Sequence, residues 1–304
     1  MDSSEKDMAT LSVIIVNYNT KNFLRQCLAS LYRMEPSFDF ETIVVDNHSH
    51  DGSIALVRKD FPRVHLIENI ENVGFAKANN MGIALARGKY VLLLNSDTQV
   101  IGDALEKLIS FLDTHLDVAV VTPRLVYPDL SDQGAARTFP TPVNVLFGRK
   151  SHLTRLFPNN RYSRKYLLSC VSTSHEPFEV DWVSGACLMV RKKVIEQVGP
   201  LDEMFFMYWE DVDLCFRIKQ KGWKVYCVPG AVTIHYEGKS VTGKIRTRCI
   251  IEFNKGAYLY YRKHHINSYF EIMNFVALLG LSLRTLVLLG INAVKGEATF
   301  ESHT

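Results

Sequence analysis

Three short stretches of the chain hold side chains able to bind a cation or move a proton. Asn95-Ser96-Asp97 follows the apolar run Leu92-Leu93-Leu94. A cation that carries phosphate oxygens needs further oxygen ligands on a short, rigid turn. Asp97, with a polar neighbour two residues before it, offers that; an Asx turn is the plain structural alternative. The segment LDEMFFMYWEDVDLCFR (201–217) sets Asp202, Glu203, Glu210, Asp211 and Asp213 among Phe205, Phe206, Met207, Tyr208, Trp209 and Phe216. If 209–219 is helical, Glu210 and Asp211 open the helix and Asp213 pairs with Arg217 one turn on. Acids at a helix start complement its dipole. A carboxylate against apolar walls and beside a like charge also has its pKa raised, which suits a general base. His235 ends the apolar run 231–234 and has both a structural role and metal ligation open to it.

These residues must be positioned by regular elements, and the pattern supplies them. The run LSVIIV (11–16) is short, apolar and rich in β-branched residues, and reads as a buried strand. Thr20 is a candidate cap for a helix to 34, with Phe23, Cys27, Leu28 and Leu31 at helical spacing. Further strands are predicted over 40–45, 64–67, 90–94 and 118–121, with helices from about 53, over 73–86 and over 103–112. Strand alternating with helix argues for an α/β fold, a mostly parallel sheet with helices on both faces. Such sheets bind ligands at the carboxyl ends of their strands. Tyr18, Asp46 and Asp97 stand at those ends; each carboxylate alone could merely cap a helix, whereas three polar strand ends in one sheet favour a site. Later strands are predicted over 187–191, 225–228 and 231–234.

Between 128 and 177 the pattern is interrupted by Pro128, Pro140, Pro142, Pro158 and Pro177. Long irregular stretches of this kind are usually functional. The six cysteines show no CxxC spacing and read as buried small hydrophobes in a reducing compartment. The polar start of the chain shows no secretory signal, so a cytoplasmic protein is expected. A net charge of +3 is too small to imply nucleic acid. The charge is uneven, however. Residues 133–175 hold no acid, and 239–265 sets its lysines and arginines against Glu252 alone. Two solvated faces, or attraction to anionic lipid or a phosphate-bearing acceptor, follow from such runs. No GxGxxG follows the first strand, and Gly238-Lys239-Ser240 lacks the first glycine of a P-loop, Thr233 standing in its place.

Taken in order, VIIVNYNT (13–20), VVDNHSHDGS (44–53), ENVGFAKANNMGI (71–83), LLLNSDT (92–98), VDWVSGACLMVRK (180–192) and LDEMFFMYWEDVDLCFRIKQKGW (201–223) resemble the inverting family 2 glycosyltransferases, most closely their bacterial rhamnosyltransferase-like branch. The resemblance covers about 11–235. It implies a GT-A fold and a nucleoside-diphosphate sugar donor. Asn17 and Tyr18 would line the base pocket, Asp46 with Asn47 would bind base or ribose, and Asn72 and Lys77 would border the nucleotide. Asn95-Ser96-Asp97 stands where the family usually has Asp-x-Asp; Asn95 is a departure known in this branch, and it leaves Asp97 as the acidic ligand of Mg²⁺ or Mn²⁺. His235 matches the position of a further ligand. Asp211 would take the proton of an attacking acceptor hydroxyl, with Asp181, Trp182, Gly185, Trp209 and Glu210 shaping the sugar and acceptor pocket. The best-matching donor is dTDP-rhamnose; UDP-hexose, UDP-HexNAc and UDP-galactofuranose remain alternatives, as does a non-catalytic nucleotide- or glycan-binding scaffold.

The expected layout is a polar tail (1–10), a catalytic domain (11–238) with a basic acceptor-side insertion (128–178), and a basic and apolar helical region (239–304). Residues 272–294 are long enough to span a bilayer. Arg284 interrupts them, and a charge at a span centre costs about 2.5–3.5 kcal/mol. Polar positions 271, 274, 282, 285 and 292 fall on one face, so interfacial helices at the inner face of the membrane are expected, with packing against the catalytic domain or in a homodimer as the alternative. A lipid-linked or glycan acceptor accounts for both the basic run and the apolar one.

Overall fold

A computed structural model describes residues 9–34, 36–134, 136–140, 156, 176–237, 243–265 and 271–301. Most of the tail 1–10, most of the insertion 128–178 and the loop at 238–240 lie outside the described residues. The first half alternates as expected except for one added strand, β5, between β4 and α4: β1 (Leu11–Asn17), α1 (Lys21–Arg33), β2 (Phe40–Asp46), α2 (Ser53–Asp60), β3 (His65–Glu68), α3 (Phe75–Leu85), β4 (Tyr90–Asn95), β5 (Thr98–Ile101), α4 (Ala104–Thr114) and β6 (Val118–Val126). Then come β7 (Ala136–Arg137), β8 (Phe178–Val180), β9 (Trp182–Val183), β10 (Cys187–Arg191), α5 (Lys192–Val198), α6 (Glu210–Gln220), β11 (Lys224–His235), α7 (Gly243–His265) and α8 (Glu271–Glu301).

The main sheet runs β3-β2-β1-β4-β10-β6-β11-β5, with β8 beside β11. Pairings β3/β2, β2/β1, β1/β4 and β6/β11 are parallel, while β10 lies antiparallel between β4 and β6. The central strands are apolar throughout because both faces are covered. Val13, Ile15, Leu92 and Leu94 pack with Leu24, Leu28, Leu105 and Leu108 on one face. Ile14, Val91, Leu93 and Leu188 pack on the other with Trp209, Leu214 and Tyr260. In β1 and β2 the register sets Asn17 beside Asp46, and in β1 and β4 it sets Val16 beside Asn95. Three polar strand ends thus share one edge of the sheet.

The stretches expected as separate strands over 225–228 and 231–234 form one long strand, β11, with a register shift between Val228 and Val232. The irregularity lets its first half pair with β8 and its second half with β5. Cys27, Cys187, Cys215 and Cys227 are free and buried, and burial pushes each thiol up to about 12, so they are inert core residues.

Candidate active site

At the ends of β1 and β2 the polar residues are tied to one another. The Asn17 amide donates to Asp46 Oδ2 (2.8 Å) and Ser49 Oγ (3.1 Å), and its own oxygen accepts from the Thr20 hydroxyl (2.6 Å). The Ser49 N–H donates to Asp46 Oδ1 at 2.7 Å. Both Asp46 oxygens are therefore occupied, and the residue is almost fully buried. Asn47 donates to the Gly74 carbonyl (3.1 Å) and accepts from Asn69 (2.9 Å). Asn72 receives the Gly74 N–H at 3.0 Å in an Asx turn that starts α3. Tyr18 and Lys77, near this buried network in the chain, are exposed. Gly74, at φ +92°, is held because a Cβ there would lie 2.6 Å from the Phe206 carbonyl oxygen. That oxygen accepts from the Phe75 N–H at 2.6 Å and ties α3 to the segment leading into α6.

The turn 95–97 lies next to this network. Ser96 Oγ is 2.8 Å from Thr20 Oγ1, which continues the chain of hydrogen bonds from Asn17. β5 pairs antiparallel with the end of β11, so that Thr98 faces His235. This brings His235 Nε2 to 3.3 Å from Asp97 Oδ1, with both residues largely buried. Among the described residues no group of three or more His, Cys, Asp or Glu side chains is placed to hold a metal ion. A carboxylate and an imidazole are nevertheless a fitting donor set for Mg²⁺ or Mn²⁺, which are commonly held by few protein ligands and completed by phosphates.

α6 begins after two residues in left-handed backbone, Tyr208 (φ 70°) and Trp209 (φ 76°). Strain of about 1–3 kcal/mol at each is of the kind stored at functional sites. The turn aims Asp211 at the sheet edge, where Oδ2 accepts from the Gly185 N–H (2.9 Å) and Oδ1 from the Val212 N–H (2.8 Å). The next residue, Ala186, accepts the Asn95 N–H at 2.9 Å. Two consecutive backbone groups therefore hold the Asp211 carboxylate and the 95–97 turn side by side. An added Cβ at Gly185 would sit 3.7 Å from Asp211 Oδ2, an ordinary contact, so the backbone N–H rather than the lack of a side chain is what this position supplies. Burial raises the Asp211 pKa, against the backbone N–H groups and Arg137, which lower it. Burial and then the Asp211 charge push Glu210 well above the ordinary carboxylate range, and its Oε2 is buried with no hydrogen-bond partner among the described residues. A pair of adjacent carboxyls whose pKa values are raised by burial is suited to take up a proton.

The other expected pocket residues are more deeply set. Trp209 is 6% exposed, packs on Phe253 and Tyr260 of α7, and donates its indole N–H to the Phe253 carbonyl at 2.9 Å. Gly256 makes room for it. Trp182 is 7% exposed, donates to the Thr138 carbonyl (2.9 Å) and lies under the Arg137 guanidinium. Asp181 accepts the Phe139 N–H (2.8 Å) and pairs with Lys219 (3.3 Å). In this geometry both indoles shape the site from behind. Sequence reasoning passed over Gln133, whose side chain reaches His235; nothing in its local spacing signals that contact. It passed over Lys263 and His264 as well, which meet the buried Asp213 at 2.7 Å each and fasten α7 to α6.

The model for glycosyl transferase family 2 matches residues 12–199, more than half of the chain. The chain belongs to the family 2 glycosyltransferases. An N-acetylglucosaminyl-diphospho-decaprenol L-rhamnosyltransferase of Mycobacterium tuberculosis is 29% identical over 84% of this transferase and 85% of its own length. A rhamnosyltransferase of Escherichia coli strain K12 is 25% identical over 74% and 82%. Among solved structures, a mannosyltransferase from Pyrobaculum calidifontis in complex with GDP-Man and Mn²⁺ superposes with a TM-score of 0.58 at 19% identity, covering 97% of this chain and 76% of the other. The fold of the transferase is GT-A. Its Asp211 and His235 lie beyond the matched residues; the β5–β11 register sets His235 beside Asp97, and Asp211, at the start of α6, meets the Gly185 N–H.

Proposed function

We propose that this transferase moves L-rhamnose from dTDP-rhamnose to a hydroxyl of a lipid-linked or polysaccharide acceptor, with inversion, using Mg²⁺ or Mn²⁺. The name of the mycobacterial relative, aligned over most of both chains, supports the sugar and a lipid-linked acceptor. The observation that carries the mechanism is the Gly185-Ala186 bridge, which sets Asp211 beside the turn bearing Asp97. Asp97 and His235 would hold the cation. When bound, the cation supplies positive charge to the diphosphate oxygens that gain electron density as the sugar bond breaks. Asp211, held by two backbone N–H groups, takes the proton of the acceptor hydroxyl as its oxygen attacks from the opposite face. Glu210, protonated over a wider pH range, limits the negative charge next to it. Tyr18, Asn72 and Lys77 border the nucleotide, beside the network built by Asn17, Asp46 and Asn47.

We propose that the reaction takes place at the inner face of the cell membrane. No described helix is long and apolar enough to cross a bilayer. α8 instead turns Arg284 toward Asn254 and the Phe253 ring of α7, and Asn292 toward Thr247. Phe275, Leu279, Leu283, Leu286 and Val287 are left exposed on the outer side. An apolar outer face beside a basic helix suits the headgroup boundary. The deciding experiment is calorimetric titration with dTDP, UDP and GDP, each with and without Mn²⁺ or Mg²⁺, followed by turnover with the matching sugar donors. Metal-dependent preference for dTDP, with rhamnosyl transfer, is expected. Preference for UDP moves the donor to a UDP-sugar, and failure to bind any of them overturns the enzymatic reading.

A further inference from the structure

We propose that Gln133 is a positioning residue that locks the His235 ring for metal ligation. This rests on His235 being a ligand. Gln133 is 3% exposed and sits in the loop between β6 and β7. Its backbone N–H donates to the Leu125 carbonyl at 2.9 Å, so its main chain is anchored to β6. Its side-chain Nε2 donates to the His235 carbonyl at 2.6 Å and reaches the Val126 carbonyl at 3.4 Å. Its Oε1 lies 2.9 Å from His235 Nδ1.

These contacts fix which end of the amide is which. Reversing it would set Oε1 against two carbonyl oxygens, neither of which can donate. With Oε1 facing the ring, Nδ1 must carry the hydrogen. In the neutral imidazole the lone pair then belongs to Nε2, the nitrogen that faces Asp97 Oδ1 at 3.3 Å. A lone-pair-bearing nitrogen 3.3 Å from a carboxylate oxygen is repelled by it unless a positive charge lies near both. A divalent cation meets that need, and the outer hydrogen bond of a ligating histidine commonly fixes its tautomer and basicity. Gln133 does more than accept one bond, because it grips the side chain and the carbonyl of the same residue. Ring rotation and backbone shift of His235 are restrained together. An uncharged amide does this without placing another charge in the buried site.

The test uses the full chain and Mn²⁺ as the probe, with dTDP present. Mn²⁺ affinity is measured by calorimetry for wild type, Gln133→Leu, Gln133→Glu, His235→Ala and the Gln133→Leu/His235→Ala double variant. The imidazole ¹⁵N shifts of His235 are recorded without metal. Gln133→Leu is expected to weaken Mn²⁺ about 10–100-fold and to shift the ring toward mixed tautomers. Gln133→Glu, which keeps the acceptor, is expected to retain the Nδ1–H tautomer. On the His235→Ala background Gln133→Leu should add nothing. If His235→Ala leaves Mn²⁺ affinity unchanged, the ligand reading fails. If His235→Ala weakens it while Gln133→Leu alters neither affinity nor tautomer, the role of Gln133 is overturned and the ligand reading stands.

Discussion

Asp211→Asn separates proton transfer from binding, and its two consequences have different sizes. In the wild type Oδ2 receives the Gly185 N–H and Oδ1 the Val212 N–H. An asparagine has one acceptor oxygen, so one of these N–H groups loses its partner, at a cost of about 1–3 kcal/mol. Removing a carboxylate whose charged form is disfavoured by burial offsets part of this. The net loss stays below about 3 kcal/mol, a melting shift under roughly 12 °C at about 2–4 °C per kcal/mol. The catalytic consequence is larger. Loss of a general base costs about 10²–10⁴ in rate, which is about 3–5 kcal/mol of barrier. The assay is kcat at saturating donor and acceptor, alongside calorimetric donor affinity and a melting curve. Turnover should fall by that factor while donor affinity changes less than about threefold. A folded variant that keeps kcat within about tenfold would refute the assignment of Asp211 as base. A donor affinity that falls in step with turnover would instead make Asp211 a binding residue.

Three further outcomes are expected. Glu210 has its folded pKa raised above the ordinary 4.5, first by burial and then by Asp211, so its stabilising contribution is complete below the unfolded pKa and is lost as pH rises through the folded one. The melting temperature of Glu210→Gln should therefore gain on wild type as pH is raised above about 4.5, and a pH-independent difference would contradict this. Gly74→Ala meets both a φ of +92° and the Phe206 carbonyl at 2.6 Å, whereas Gly102→Ala at φ +57° meets nothing within 4 Å. Thermal melts should show a loss of about 2–6 kcal/mol at position 74 against about 1–2 kcal/mol at 102, and equal losses would remove the contact between α3 and the Phe206 segment as the cause. Replacing Leu283, Leu286 and Val287 together by Ser should weaken co-sedimentation with anionic phospholipid vesicles by at least about tenfold, since each buried side chain contributes about 1.5–3 kcal/mol; undiminished binding would exclude the outer face of α8 as the contact.

The sequence by itself determined the order and type of the elements in the first half of the chain except β5, four residues whose strand character comes from pairing with β11. Its signals there are local: continuous apolar runs for strands covered on both faces, 3.6-residue spacing for α1, α3 and α4, and polar residues at the strand ends. It also marked Asp97, the pair Glu210-Asp211 and His235 as polar residues after apolar runs, and only the resemblance of the ordered motifs to family 2 glycosyltransferases implied ligand and base roles for Asp97, His235 and Asp211. What they touch was decided by long-range register. Asp97 and His235 meet because β5 pairs antiparallel with the far end of β11, and no local pattern encodes that pairing. Asp211 joins them through Gly185, a residue without a side chain to read. Trp182 and Trp209, which composition alone could assign to a sugar pocket, are core residues with their N–H groups committed, because β7 and α7 happen to cover them. The polar residues of α8 followed the same logic. Their spacing showed that the helix has two faces, but only its packing on α7 showed that Arg284 and Asn292 turn inward and the apolar face turns out. Periodicity tells how a segment divides its residues between two environments; which environment lies on which side is a property of the assembled fold.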